Sequence, residues 1–225
     1  MKPSILVRIQ AREQMLITKL GHCCLLIEEA GKKLLTDPGN YSESQNEVKN
    51  IDFILITHEH QDHLHIDSLK IVLKNNPQAK IITNTAVAVL LDEVKITYEL
   101  IADNETKKLG DVAVQALEAE HAEMHKEWPR VLNSGFFIAD KLFYPGDSLI
   151  DPKREVEVLA LPVAGPWIRV GEAIDYALKL KPKHAFPVHD AGLKQPGVAH
   201  RVPSTILPKH SINFEVIAEG ASKEY

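Results

Sequence analysis

Short runs of apolar residues, broken by turn-forming ones, mark out most of the chain. Met15 to Leu20, Cys23 to Glu28 and Lys33 to Thr36 read as three antiparallel strands, separated by the turn-like Gly21-His22 and Ala30-Gly31-Lys32. Asp37-Pro38-Gly39-Asn40 is a loop with a carboxylate at its mouth, and Ser42 to Asn50 is polar enough for a surface loop. The stretch from Ile51 to Ile56 is β-branched and aromatic, as a buried strand should be. Beyond it Ile66, Leu69, Val72 and Leu73 keep helical spacing and predict a helix over Ile66 to Asn75. A strand at Lys80 to Thr83, a helix at Thr85 to Asp92 and an extended run at Ile96 to Ile101 follow.

Val112 to Glu118 alternates apolar and polar residues, the pattern of a half-buried strand. Phe136 to Ala139 and Leu142 to Tyr144 flank Asp140-Lys141 as a hairpin, and Val156 to Leu161 is a further strand. Gly171 to Leu180 is amphipathic and stops before Pro182. His184 to Val188 and Ile212 to Ile217 read as the last two strands. Strands followed by mixed strands and helices point to an α/β architecture with sheets packed inside helices, without selecting a topology.

Length and composition narrow the picture. The 225 residues suit one domain spanning 1–225, with 1–14 as a peripheral N-terminal extension. A net charge of -5 argues against nucleic acid or an anionic membrane as a general partner. No apolar stretch approaches the roughly 20 residues that span a bilayer, and the first fourteen residues lack the apolar core of a signal peptide. The only cysteines, Cys23 and Cys24, are neighbours that a strand would point to opposite faces. They read as small strand residues rather than a soft metal site, and the lack of a disulfide framework suits a reducing cytoplasm.

The chemistry concentrates in Thr57-His58-Glu59-His60-Gln61-Asp62-His63-Leu64-His65, where four histidines and two carboxylates follow a buried strand. Clustered imidazole and carboxylate is the donor set of borderline divalent metals. Three further candidates also follow strands: His121 after Val112 to Glu118, Asp147 in Tyr144-Pro145-Gly146-Asp147-Ser148, and His189 in Phe186-Pro187-Val188-His189-Asp190.

The unit His58-x-His60-x-Asp62-His63, with the ordered set His121, Asp147 and His189 behind it, resembles the metallo-β-lactamase superfamily. The resemblance covers nearly the whole chain from Met15. It implies a four-layer αββα sandwich with its ligands on loops at one sheet edge. It also implies two divalent metal ions, zinc first and manganese or iron as alternatives. His58, His60 and His121 would hold one ion, Asp62, His63 and His189 the other, with Asp147 bridging. Asp62 would in addition handle the proton of an activated water. The implied activity is hydrolysis of a small-molecule ester, lactone, amide or phosphoester. The alternatives are a phosphodiesterase or nuclease of the same fold, or a non-catalytic metal-binding protein. Oligomeric state stays open, a homo-oligomer included.

Leu20-Gly21-His22-Cys23, Asp37-Pro38 and Pro145-Gly146-Asp147-Ser148 are similar to the branch that includes L-ascorbate-6-phosphate lactonase. That similarity would set His22 and Asp37 beside the metals; the plain alternative is a turn histidine and a turn-starting aspartate. His65 is expected beside the site rather than as a ligand. His121 is preferred over His125 as third ligand of the first ion, and His184, His200 and His210 are expected as ordinary surface or packed histidines. Where the branch often carries an aromatic-Thr-Met segment, this chain has Ala164-Gly165-Pro166-Trp167-Ile168-Arg169-Val170. Trp167 and Arg169 are either pocket wall and anion contact, or a packed aromatic and a solvated helix-start charge.

Overall fold

A computed structural model of the chain describes residues 14–225; apart from Gln14, the expected extension over 1–14 lies outside the described residues. The first half builds β1 (Leu16–Gly21), β2 (Cys24–Glu29), β3 (Lys32–Thr36), β4 (Phe53–Ile56), α1 (Ile66–Asn75), β5 (Lys80–Thr83), α2 (Thr85–Glu93) and β6 (Glu99–Leu100). The second half builds β7 (Thr106–Leu109), β8 (Val112–Glu120), β9 (Leu132–Ile138), β10 (Leu142–Tyr144), β11 (Val158–Pro162), α3 (Val170–Leu180), β12 (His184–Val188), α4 (Gly197–Ile206) and β13 (Asn213–Phe214). A last strand, β14 (Ser222–Glu224), returns to the first sheet.

Two seven-stranded sheets result, ordered β14-β1-β2-β3-β4-β5-β6 and β13-β12-β11-β10-β9-β8-β7. Both are mixed: β1 to β3 pair antiparallel and β3 to β6 parallel, while β7 to β10 pair antiparallel and β10 to β13 parallel. β14 lies antiparallel on β1, and Met15 and Tyr225 exchange backbone hydrogen bonds of 3.1 and 2.9 Å.

Side-chain alternation sets the layers. Leu25, Ile27 and Leu55 of the first sheet meet Val114, Phe136, Tyr144 and Phe186 of the second in one buried cluster. Ile54 and Ile56 face the other way, against Leu69 and Val72 of α1 and Val87 and Leu91 of α2. On the opposite side Phe137, Phe143 and Leu159 pack on Ala173, Ile174 and Ala177 of α3 and Ala199 of α4. This is the αββα sandwich, held by three apolar interfaces in which each fully buried large side chain contributes roughly 1.5–3 kcal/mol. Cys23 sits in the inter-sheet cluster and Cys24 in the outer one, both as free thiols. Cys23 occupies the β1–β2 turn rather than a strand. Among the described residues no helix is long and apolar enough to cross a membrane.

Four features depart from the sequence expectations. β9 begins at Leu132, not Phe136, because Asn133 and Ser134 are buried strand residues despite their turn-like character. β7 is an edge strand written as Thr-Lys-Lys-Leu, whose charges hide it from a hydrophobic pattern. The expected strand over Ile212 to Ile217 shrinks to two residues. α4 is a helix for which the pattern predicts no element, because Pro196, Gly197 and the internal Pro203 mask its period.

Candidate metal centre

Every predicted ligand follows a strand on one edge of the sandwich. β4 ends at Ile56 and releases the Thr57 to His65 loop, while β8, β10 and β12 end one to three residues before His121, Asp147 and His189. The loop closes on itself through His63 N and Leu64 N donating to His60 O, at 2.9 and 2.7 Å. Gly39 lets a second loop lie against it: Asn40 N donates to Gln61 O at 2.9 Å and His65 N to Pro38 O at 3.2 Å. A side-chain carbon on Gly39 would stand 1.9 Å from Asp62 O. His22, Asp37 and His189 hold left-handed backbone, with φ of 45°, 37° and 62°. Such strain in residues other than glycine costs on the order of 1 kcal/mol or more each and persists where surrounding structure imposes it.

Two donor sets face one another. His58, His60, His121 and Asp147 bring one donor atom each to within 4.8 Å of the others, and so do His22, Asp62, His63 and His189. Asp147 reaches both: Oδ2 lies 3.2 Å from His121 Nε2 and 2.9 Å from His189 Nε2, and Oδ1 lies 3.1 Å from His63 Nε2. Asn133 fixes Asp147 by accepting its backbone N–H at 3.0 Å while donating to Pro145 O at 2.9 Å.

The far sides of the rings are occupied, which decides where their lone pairs point. Thr57 Oγ1 donates to Asp37 Oδ2 at 2.8 Å, so at 2.9 Å His58 Nδ1 must be the donor to that hydroxyl. His121 Nδ1 donates to Ala122 O at 2.7 Å, and His63 Nδ1 donates to Asp37 Oδ2 at 2.7 Å. In each case Nε2 is left facing the cluster. Asp37 is itself fully buried and also accepts from Thr57 N at 2.8 Å and from the hydroxyl of Tyr144. Carboxylate behind imidazole is the arrangement that orients and strengthens a metal-binding histidine.

The residues fit cations. His63 Nε2, His189 Nε2 and Asp147 Oδ1 are buried without a hydrogen-bond partner, their mutual approaches lacking hydrogen-bond alignment. Burial opposes charge on His63 and His189, yet the Asp147 carboxylate pushes both well above the ordinary imidazole value. Burial likewise opposes ionisation of Asp147, but positive charge on His63 and His189 holds it well below the usual carboxylate range. Burial lowers His58 and His60, keeping them neutral and able to donate lone pairs. Replacing Asp37 by Asn is expected to weaken the second donor set by about 10- to 100-fold in zinc affinity. Competition with a chromophoric chelator measures this, and an unchanged affinity would remove Asp37 from the site's support.

The structure brings the remaining candidates to distinct places. His22 is buried; its Nδ1 accepts from Ala191 N at 3.3 Å and its Nε2 donates to Asp62 Oδ2 at 3.2 Å. His22 thus clasps the loops of Asp62 and His189 together, and its backbone oxygen also accepts from His189 N at 3.3 Å. Burial opposes ionisation of Asp62, but the imidazoles of His189 and His22 beside it hold its carboxyl far below the ordinary range. His65 caps the start of α1 and bonds Ser68 Oγ at 2.9 Å. His125 is exposed, and His121 is the residue in the cluster. Trp167 packs its ring edge-on to His121 and His189 at 5.6 and 5.5 Å. Arg169 is exposed at the start of α3, where its backbone N–H donates to Glu172 at 2.7 Å; it does not line the cavity.

Of the surface and packed readings, His200 takes the packed one. It lies on α4 and bonds Asp190 Oδ2 at 2.7 Å, while Lys19 Nζ of β1 reaches both oxygens of Asp190 at 2.7 Å. This Lys-Asp-His link, buried at Lys19 and Asp190 and half-buried at His200, anchors the residue after His189 to the opposite sheet. Lys19, Thr57, Asn133, Tyr144 and Asp190 carried no signal in the sequence, because each acts through a partner distant in the chain.

The model of the beta-lactamase superfamily domain matches residues 16–189. The chain belongs to this superfamily. Protein Rv0786c of Mycobacterium tuberculosis is 35% identical over 182 residues, covering 79% of this chain and 84% of that protein. A UPF0173 metal-dependent hydrolase of Archaeoglobus fulgidus is 30% identical over 195 residues, covering 78% and 83%. Among solved structures, the metallo hydrolase Igni18 of Ignicoccus hospitalis superposes with a TM-score of 0.74 at 18% identity, over 94% of this chain and 98% of that one. Its likeness establishes the superfamily fold alone.

Proposed function

We propose that this superfamily member is a hydrolase working with two divalent metal ions, zinc before manganese or iron, on a small ester, lactone, amide or phosphoester. The observation that carries the reading is the pair of facing donor sets sharing Asp147, with His63 Nε2, His189 Nε2 and Asp147 Oδ1 buried and unpartnered between them. The likeness to the metal-dependent hydrolase of Archaeoglobus fulgidus supports it. Bound ions would supply a water of lowered pKa and polarise the bond under attack.

The chain's own residues do the rest. His58, His60, His121 and Asp147 would hold one ion, and Asp62, His63, His189 and Asp147 the other. Asp62 is the most accessible member of the second set, with 23% of its side chain exposed. It is placed to take a proton from the attacking water at the oxygen His22 does not engage. His22 keeps that carboxylate oriented, and Asp37 keeps His63 Nε2 turned inward. The branch of L-ascorbate-6-phosphate lactonase rests only on His22, Asp37-Pro38 and Pro145 to Ser148.

The test joins metal analysis to a panel of ester, lactone and phosphodiester substrates. Close to two divalent ions per chain, with hydrolysis lost on chelation, is the expected result; an active metal-free protein overturns it. pH offers a second measurement. In the metal-free chain His63 and His189 stay protonated beyond the ordinary imidazole range, so incoming cations must displace those protons. Metal affinity should therefore rise with pH through neutrality, and uptake in weak buffer should release protons. Affinity that is flat between about pH 6 and 8, on either side of the ordinary imidazole value, would contradict this.

A further inference from the structure

Over the donor sets the chain opens a cavity of about 570 Å³, within the usual range for small-molecule sites. Its floor carries the metal-facing side chains of His60, Asp62, His121, Asp147 and His189. Its walls are of another character: Tyr41, Met124, Trp128, Pro166, Trp167 and Leu193. Among the described residues no lysine or arginine lines it, and away from the floor the only side-chain amides among them are those of Asn40 and Gln61. Tyr41, Trp128 and Leu193 remain 51%, 60% and 36% exposed. Large apolar side chains left in water around one opening mark a binding surface.

Trp167 adds a polar requirement. The residue lines the cavity and is 8% exposed, and its Nε1 is buried without a hydrogen-bond partner. Gly165, with φ of 149°, makes room for it: a side-chain carbon there would stand 2.9 Å from Nε1 and 3.2 Å from His189 Cε1. The N–H is thus held beside a metal-facing ring, and a buried donor without an acceptor is unfavourable until one arrives. A phosphate carried away from the reacting bond would meet a mostly apolar wall and, among the described residues, no lysine or arginine to neutralise it, also an unfavourable burial.

We infer that the pocket takes an uncharged substrate with an aromatic or bulky apolar group, whose carbonyl oxygen accepts a hydrogen bond from Trp167 Nε1, and that it discriminates against phosphorylated counterparts. The reaction assigned to this substrate rests on the hydrolase reading; its binding does not. In hydrolysis of such an ester the water oxygen bonds to the acyl carbon. The bond to the leaving alcohol breaks, and that alcohol takes up a proton.

The experiment uses matched probes. N-(2-naphthyl)acetamide and its 6-phosphate are titrated calorimetrically into the full chain after chelation, which removes direct metal–phosphate contact. The uncharged probe is expected to bind at least about tenfold more tightly. Trp167→Phe keeps the apolar wall and should weaken that probe about fivefold with an unchanged melting temperature. Equal or tighter binding of the phosphate, no binding of either probe, or no effect of Trp167→Phe overturns the inference. The metal-loaded protein is then given 2-naphthyl acetate and its 6-phosphate. Equal hydrolysis of the two sinks the pocket inference and leaves the hydrolase reading standing. Hydrolysis of neither, with the binding preference intact, does the reverse.

Discussion

Asp147→Asn is expected to fold and yet to lose both metal and activity. The amide keeps the carboxylate's size, so Asn133 can still hold the loop through the backbone of residue 147. It removes the one negative charge that both donor sets share, leaving His121, His63 and His189 with no common counter-ion. Transition-state stabilisation of about 4 kcal/mol from the metals would be forfeited, which is roughly a thousandfold in rate. Metal content should fall below half of the wild-type value, with circular dichroism unchanged. Wild-type metal content and rate in this variant would remove Asp147 from the bridging position.

Gly39→Ala should do nearly as much damage without touching a ligand. The added carbon would stand 1.9 Å from Asp62 O, 2.1 Å from Asp62 C and 2.7 Å from His63 N. All three are backbone atoms of the ligand loop, so no side chain can rotate aside. The neighbouring loop cannot yield easily, because the buried Gln45 amide binds Gly39 O at 3.0 Å and Ser42 O at 2.6 Å. Relief would have to pull Asp62 and His63 away from His189. A loss of stability on the order of 3 kcal/mol is expected, together with loss of the second ion before the first. Urea unfolding and metal analysis measure the two effects. A variant as stable and as metal-rich as wild type would show that the loops can part.

The sequence exposed whatever depends on local pattern. α1 runs over the residues its apolar spacing predicts, and β5, β10 and β12 likewise keep their expected bounds. The four ligand-bearing loops follow strands as expected, since a strand end is visible as the point where apolar character stops. Hidden were features in which residue type contradicts environment. Asn133 and Ser134 are polar yet wholly buried, and they lengthen β9 to support Asp147 and Thr57 O. The helix that packs His200 is disguised by proline, and nothing in β1 announces that Lys19 meets Asp190, 171 positions away. For Asp37 the sequence left turn and support of the site in balance; the four groups donating to its carboxylate are contributed by Thr57, His63 and Tyr144, none of them local.

The pairing of Met15 with Tyr225 has a consequence for how the domain can be rearranged. Backbone bonds of 3.1 and 2.9 Å join these positions, so the segment from Met15 to Tyr225 closes on itself in everything but covalency. All seven proposed ligands lie on the arc between them. A short linker across that seam would leave each loop where it is, and the ring could be reopened in an exposed polar stretch such as Lys153 to Glu155. By the same geometry, the domain could be seated within a loop of another protein, entering and leaving at almost the same point.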